Sequence, residues 1–301
     1  MIRQNFKATF LSDVIISQNA ATTGGHSSMD FIPGSFLLGV CASKQYRKHP
    51  DKAFDLFNNG KVKFGNAYPV SSQAHRTFPV PLSWHVPKLK EFYDEGTGKL
   101  YQESIFNCCF LSGKTVKDWK DNAVQPEQKR NGYFSLSGSY AKLERNFRIK
   151  TAIDRNNRGR SEEEQLFGYE SIAEGTEWYF SVNFSKEEYK TIILDSLADN
   201  KIINIGRSRS AEYGRTKLEH LPGNFEDVPR FNSSEYVCIY CYSDIVLQNL
   251  KSGAPTLIPN GKHFGLEDQE PVWSKTFIRS RSYPSLSDHT CDPGHVKTGN
   301  H

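Results

Sequence analysis

The loop that ends at Arg215 concentrates residue types that bind phosphate groups. Two glycines allow close backbone approach to a ligand, hydroxyl groups and amides bond phosphate oxygens, and arginines add bidentate charge. A tyrosine adds a face on which a base can stack. The residues concerned are Gly206, Arg207, Ser208, Arg209, Ser210, Tyr213, Gly214 and Arg215. The pattern predicts contact with a nucleic-acid backbone. The alternative is a tight connection whose arginines pair with nearby carboxylates.

A second basic segment follows a β-strand pattern. Apolar and polar residues alternate from Leu143 to Ile153, which predicts a strand, and a loop rich in arginine and asparagine comes next. The arginines of this loop are Arg155, Arg158 and Arg160. They are candidates for an RNA groove, and the alternative is a solvated loop neutralised by the acidic run at 162–164.

A glycine-containing loop leads into the first predicted helix, which begins near Ser35, its predicted N-cap. A helix N-terminus behind a flexible loop is a natural anion site, so Gly34 and Ser35 are predicted to face a phosphate. Lys44 and Arg47 suit the last turns of this helix and are further candidate RNA contacts.

The same loop holds a pair of side chains capable of acid–base chemistry, His26 and Asp30. Histidines and carboxylates on loops are more often solvated than catalytic. We therefore assign no catalytic residue and keep these two as candidates should the protein be an enzyme. No metal ligands are assigned.

Composition bounds the class of protein. The chain has 301 residues, 38 Lys+Arg against 34 Asp+Glu, a net charge of +4, and 13% aromatic residues. These values indicate a folded chain whose basic surface is local rather than global. No apolar run is long enough for a membrane helix, and the first residues alternate like a strand rather than a signal peptide. We expect a cytoplasmic protein without membrane association, whose six cysteines are reduced.

The elements that position these residues are strands and helices in alternation. The pattern predicts strands within 5–17, 143–153, 178–184, 202–205 and 236–247, a helix from Ser35, and a second helix opened by the capping box Ser185–Glu188. Residues 49–132, punctuated by prolines, are expected to be an irregular insertion with a strand or two. The fold class is therefore α+β, a ferredoxin-like (RNA-recognition-motif-like) sheet with helices on one face.

Four segments together resemble the RAMP superfamily, whose members build CRISPR effector complexes. The segments are Phe31–Gly39, Lys150–Arg155 with Glu164–Glu170, Gly206–Gly214 and Tyr242–Leu247. Their order matches the type III members, and the similarity is greatest to the RAMP subunit of type III-D complexes. The resemblance implies one or two ferredoxin-like units: 1–150 with its insertion, 151–250 with the glycine-rich loop, and a tail at 251–301.

The resemblance also implies a function. We expect an RNA-binding, non-catalytic subunit that holds guide RNA near its 5′ tag, assembles with other type III subunits in antiviral defence, and also meets target RNA. No cofactor is expected. Two departures bear on this. Asp30 lies only two residues before Ile32, so the loop that carries the aspartate of target-cleaving members is shortened, and the chain stops soon after Arg279–Tyr283, as a short or truncated variant would.

Two alternatives stay open at this point. One is a RAMP endoribonuclease in which Asp30 holds Mg²⁺ or His26 acts as general base. The other is a protein scaffold whose arginine loops are filled by a neighbour's carboxylates.

Overall fold

The computed structural model describes residues 1–17, 25–109, 113–153, 161–197, 200–208, 212–225, 238–241, 243, 245, 247–264 and 277. In this part of the chain the strands are β1 Ile2–Phe10, β2 Gly25–His26, β3 Val62–Phe64, β4 Tyr68–Pro69, β5 Thr77–Pro79, β6 Trp84–Pro87, β7 Phe106–Asn107, β8 Pro126–Gln128, β9 Tyr133–Ser135, β10 Tyr140–Ala141, β11 Arg145–Ile153, β12 Ser161–Ile172, β13 Glu177–Phe184, β14 Ile202–Asn204 and β15 Arg215–Leu221. The α-helices are α1 Gly34–Gln45, α2 Ala53–Phe57, α3 Gly113–Asp121 and α4 Glu187–Leu197. Short 3-10 helices cover Gln102–Ser104 and Gly261–Phe264.

A central antiparallel sheet has the strand order β14-β15-β1-β13-β3, and β4 pairs with β13 beside β3. Helix α1 follows β1 in the chain and α4 follows β13, and both helices pack on the same face of the sheet. The α+β class predicted from the sequence is confirmed.

The alternation of β1 explains which face is buried. Successive side chains of a strand point to opposite faces, and Phe6, Ala8 and Phe10 point into the core. Phe6 stacks on Phe180 at 5.1 Å between ring centroids, and Phe10 stacks on Trp178 at 5.3 Å. Leu37 and Cys41 of α1 and Tyr189, Ile193 and Leu197 of α4 close this core from the helix side.

Three smaller sheets surround the central one. Their strand orders are β10-β9-β5, β11-β12-β2 and β7-β6-β8. Residues 49–132 therefore contain more regular structure than the sequence predicts, namely two helices and six strands of two to four residues. Several of these strands contain a proline, which cannot donate to a ladder, and their shortness hides the period-two pattern.

Other boundaries also differ from the prediction. The first strand ends at Phe10 rather than Ser17: Leu11 N makes a last bond to the Arg215 carbonyl at 2.8 Å, and Val14 then pairs with Ile172 outside the central sheet. Helix α1 begins one residue earlier than predicted, after Pro33, so Ser35 lies inside the helix and is not its N-cap. The long strand β12 was not predicted, and residues 238–241 form no strand, while 236 and 237 lie outside the described residues.

The central sheet draws strands from both predicted units, β1 and β3 from the first and β13 to β15 from the second. The division of the chain at residue 150 stays a prediction.

Candidate nucleic-acid interface

Residues 11–17, which follow β1, bring the predicted site segments together. Val14 pairs through its backbone with Ile172 at the end of β12, with N–O distances of 3.0 and 2.8 Å. The Ile16 carbonyl accepts a hydrogen bond from Met29 N at 2.8 Å. The Ile15 carbonyl accepts one from Arg207 N at 2.8 Å. The glycine-rich loop, the β11–β12 hairpin and the approach to α1 thus converge on one short segment.

The two glycines of the loop serve this packing. Gly206 has a φ of +80°, and a Cβ there would lie 2.3 Å from the Ile15 carbonyl oxygen. Gly214 has a φ of +90° and donates its N–H to the Asp13 carbonyl at 2.9 Å. Only glycine adopts these angles without cost. The sequence suggested that the glycines admit a phosphate, whereas the close approach seen at Gly206 is to the chain itself.

Tyr213 does not offer the stacking face that its position in the loop suggests. Its side chain is 3% exposed, and the Arg148 guanidinium lies 6.0 Å from its ring centroid. A ring packed inside in this way is closed to a base in this conformation, and RNA contact at Tyr213 stays a prediction.

Arg148 joins the hairpin to the loop. Its guanidinium lies 3.7 Å from an Asp13 carboxylate oxygen and 4.0 Å from one of Glu212, and the side chain is 55% exposed. At more than half exposure, such pairs are weak enough for a phosphate to compete. Arg148 is not one of the arginines of the glycine-rich loop, for which carboxylate pairing was the alternative, and that alternative stays open.

The other predicted loop residues divide in two. Arg215 and Ser208 are exposed, the latter at a φ of +52°, and Arg207 is partly exposed. Arg209 and Ser210 lie outside the described residues, as do Arg155, Arg158 and Arg160 of the second basic segment. The described basic surface at this place is thus Arg148, Arg207 and Arg215, which we call the arginine surface.

Asp13 is a buried carboxylate that contacts Arg148 of the arginine surface and accepts hydrogen bonds from several segments. Its carboxylate is 7% exposed and accepts hydrogen bonds from Asn146 Nδ2 at 3.1 and 3.2 Å, Ser171 Oγ at 3.0 Å and Glu174 N at 3.1 Å. One side chain thereby ties β11, the end of β12 and the following turn to residues 11–17. Sequence reasoning missed it, because the only local signal is an aspartate after an apolar strand.

The β11–β12 hairpin carries large apolar side chains on its surface. Phe147 is 65% exposed and Ile149 is 64% exposed, two residues apart and therefore on one face. The Phe147 ring lies over Gly168, where a Cβ would come within 2.7 Å of it. Arg145, at the base of the hairpin, donates to the Ser28 carbonyl at 2.9 Å and pairs with Glu170. Exposed rings next to cations are typical of RNA-binding surfaces.

The predicted contacts on α1 are not brought together. Gly34 is buried, its N–H donates to Asn66 Oδ1 at 2.9 Å, and a Cβ there would lie 2.2 Å from the Phe64 carbonyl oxygen. Ser35 is exposed beside it. Lys44 and Arg47 are exposed at the other end of the helix, roughly 15 Å away at 1.5 Å per residue. The Gly34 amide is therefore already bonded within the fold.

The structure places the two candidate catalytic residues on different elements. Asp30 is partly buried and close to Tyr140, whose pKa is raised to about 12 by burial and by the charges of Tyr93 and Asp30. His26 belongs to β2, which pairs in parallel with β12 at Tyr169. Among the described residues, no three or more His, Cys, Asp or Glu side chains are grouped so that they could hold a metal ion. Magnesium at Asp30 stays a prediction of the enzyme alternative.

Comparisons with known proteins give structural similarity alone. No family model matches the chain, and no curated protein matches it. A chain of the type III-B Cmr-beta complex in its apo state is 14% identical with a TM-score of 0.39, covering 73% of this chain and 98% of that one. Cmr4 from Pyrococcus furiosus is 12% identical with a TM-score of 0.33, covering 73% and 99%.

A chain of a type IV-B CRISPR complex is 10% identical with a TM-score of 0.36, covering 78% of this chain and 97% of that one. In the described residues, no helix has both the length and the apolar character needed to cross a bilayer.

Proposed function

We propose that this protein is an RNA-binding subunit of a type III CRISPR ribonucleoprotein. The observation that carries the proposal is the convergence on residues 11–17 of three segments that resemble RAMP motifs. The approach to α1 is more than a hundred residues from the other two segments in the sequence, and the fold puts the glycine-rich loop beside the hairpin, with the approach to α1 on the same segment.

The surface chemistry at this place supports RNA as the ligand. The arginine surface supplies cations for phosphates, and Phe147 and Ile149 supply apolar faces for bases. Because Asp13, Glu170 and Glu212 lie among these cations, the net positive charge is small. Such a surface suits a short stretch of RNA in a larger assembly better than an independent RNA-binding protein.

The finer parts of the proposal concern fold and place in the complex. The order β15-β1-β13-β3, with α1 between β1 and β3 in the chain and α4 after β13, supports a ferredoxin-like unit. We propose one or two such units, the second around the hairpin, in keeping with the division near residue 150. The RNA is guide RNA near its 5′ tag, the complex is of type III-D, the subunit is non-catalytic, and the compartment is the cytoplasm.

A salt titration of RNA binding tests the proposal. The probe is labelled single-stranded repeat-derived RNA, and the variant is Arg207→Ala with Arg215→Ala. We expect weaker binding and a salt slope smaller by about 1.4, because each phosphate contact to single-stranded RNA contributes about 0.7. The same incubation with and without magnesium reads cleavage, and intact RNA is the expected result.

The matched control removes the same charge elsewhere. Lys88→Ala with Lys90→Ala also lowers the net charge by two but acts on exposed lysines just after β6 that are not predicted RNA contacts. We expect its salt slope to equal that of the unmodified protein. An equal loss in both variants would show that binding depends on net charge rather than on the arginine surface.

A further inference from the structure

The outer face of the central sheet, opposite the helices, carries a row of polar side chains across three strands. Register places Glu219 of β15 opposite Lys7 of β1, and Lys7 opposite Tyr179 of β13. The Lys7 ammonium contacts Glu177 at 2.9 Å and Glu219 at 3.3 Å. A tyrosine ring and an ammonium group thus lie side by side on an open sheet face.

The chain after β15 folds back over this face. Asn5, also on the outer face, donates from Nδ2 to the Gly223 carbonyl at 2.7 Å. Two residues later Phe225 stacks on Tyr179, with ring centroids 5.0 Å apart and planes 23° apart. The Arg76 guanidinium lies 5.1 Å from the Phe225 centroid and 4.9 Å from that of Phe78.

Phe225 therefore makes the contacts that a nucleobase makes in single-stranded RNA complexes. A base stacks on an aromatic side chain and receives a guanidinium over its face, with its phosphate on a nearby cation. Tyr179, Arg76 and Lys7 supply these three groups. Residues 222–224 before Phe225 are exposed and Phe225 itself is only partly buried, so little apolar surface is lost when the segment leaves.

We propose that Tyr179, Arg76 and Lys7 form a nucleobase-binding slot that Phe225 occupies when no nucleotide is bound. The ligand is an aromatic base carrying a 5′ phosphate, and it comes from single-stranded RNA or from a free nucleotide. The slot shares no residue with the arginine surface and goes beyond the RNA contact proposed above. Phe225 acts as an intramolecular competitor, so the slot has weak apparent affinity in the unmodified protein.

Removal of the competing ring is the direct test. Phe225→Ala should tighten binding of a short single-stranded oligonucleotide at least fivefold, and Tyr179→Ala added to it should remove the gain. A matched control, Phe54→Ala, deletes an exposed phenylalanine elsewhere and should change nothing. AMP tested in parallel distinguishes the sources, because a gain for AMP assigns a free nucleotide and a gain for the oligonucleotide alone assigns RNA.

No gain for either probe, or a gain that survives Tyr179→Ala, overturns the proposal. If Phe225→Ala does not fold, hydrogen exchange on the unmodified chain serves instead. Exchange at 222–225 should rise when the oligonucleotide is added, and an unchanged or lower exchange overturns the proposal. Repeating the Phe225→Ala measurement on the Arg207→Ala, Arg215→Ala background separates this slot from the arginine surface, because the fivefold gain should persist there.

Discussion

Replacement of Asp13 by alanine should destabilise the protein. Among the described residues, its effect should exceed that of replacing any other carboxylate that pairs with the arginine surface. The substitution leaves three donors without their acceptor: Asn146 Nδ2, the Ser171 hydroxyl and the Glu174 amide. It also removes one of the two carboxylate partners of Arg148. Because the carboxylate is almost wholly buried, water replaces these bonds poorly.

The magnitude follows from the number of bonds. A hydrogen bond to a charged group contributes about 1.5–3 kcal/mol, and bonds that share one acceptor are not additive. A buried donor left without an acceptor costs about 1–3 kcal/mol. We expect a loss of about 3–5 kcal/mol in the free energy of unfolding, a large part of the roughly 5–15 kcal/mol that native proteins have.

Urea unfolding followed by tryptophan fluorescence measures this loss. The midpoint should fall at an unchanged m-value. Asp51→Ala is the control, since that side chain is exposed, and its effect should stay within about 0.5 kcal/mol. A loss below about 1 kcal/mol in Asp13→Ala would refute the view that this carboxylate holds the hairpin and residues 11–17 together.

Three further predictions concern other parts of the fold. Gly206→Ala should destabilise the protein by more than Gly175→Ala, because both glycines have a φ of +80° but only at Gly206 does a Cβ meet backbone; urea unfolding of the pair checks this, and equal losses contradict it. Tyr140→Phe should reduce the fall of the melting temperature between pH 9 and 12. The pKa of Tyr140 is raised from 10.0 to about 12 in the folded protein. The stabilisation that this shift supplies is therefore present below pH 10 and is lost as the pH rises through about 12. Iodoacetamide at pH 8 should alkylate exposed Cys241 well before Cys41, because the Cys41 thiol is buried and burial raises its pKa to about 12. Mass spectrometry measures the two rates, and equal rates would contradict the burial of Cys41.

Strong local periodicity made part of the fold predictable. Strand β1, helix α1, strand β13 and helix α4 each carry an apolar pattern of the right period, and the structure has all four. Their side chains meet in one core, so local preference and tertiary packing agree. The α+β class followed from these elements alone.

The remaining elements depend on partners far away in the sequence. The strands within 49–132 are too short for a pattern to show, and β12 begins among glutamates that resemble a solvated loop. Its pairing with β11 over most of its length supplies the hydrogen bonds that decide the conformation.

The candidate site was found from residue types but its geometry was not. A tyrosine within an arginine-rich loop predicts a residue on which a base stacks, yet the Tyr213 ring is buried and the Arg148 guanidinium lies over it. The burial of Asp13 arises from bonds across more than 130 residues, which no local pattern encodes.

The most direct test of RNA binding at the arginine surface is photo-crosslinking of repeat-derived RNA to the complex that contains this chain, followed by mass spectrometry of the crosslinked peptides. We predict crosslinks in the peptides that carry Phe147 and Arg207, and their loss in the Arg207→Ala, Arg215→Ala variant. Crosslinks confined to the peptide with Lys44 and Arg47, or none in this chain while other subunits crosslink, would contradict an RNA contact at this surface.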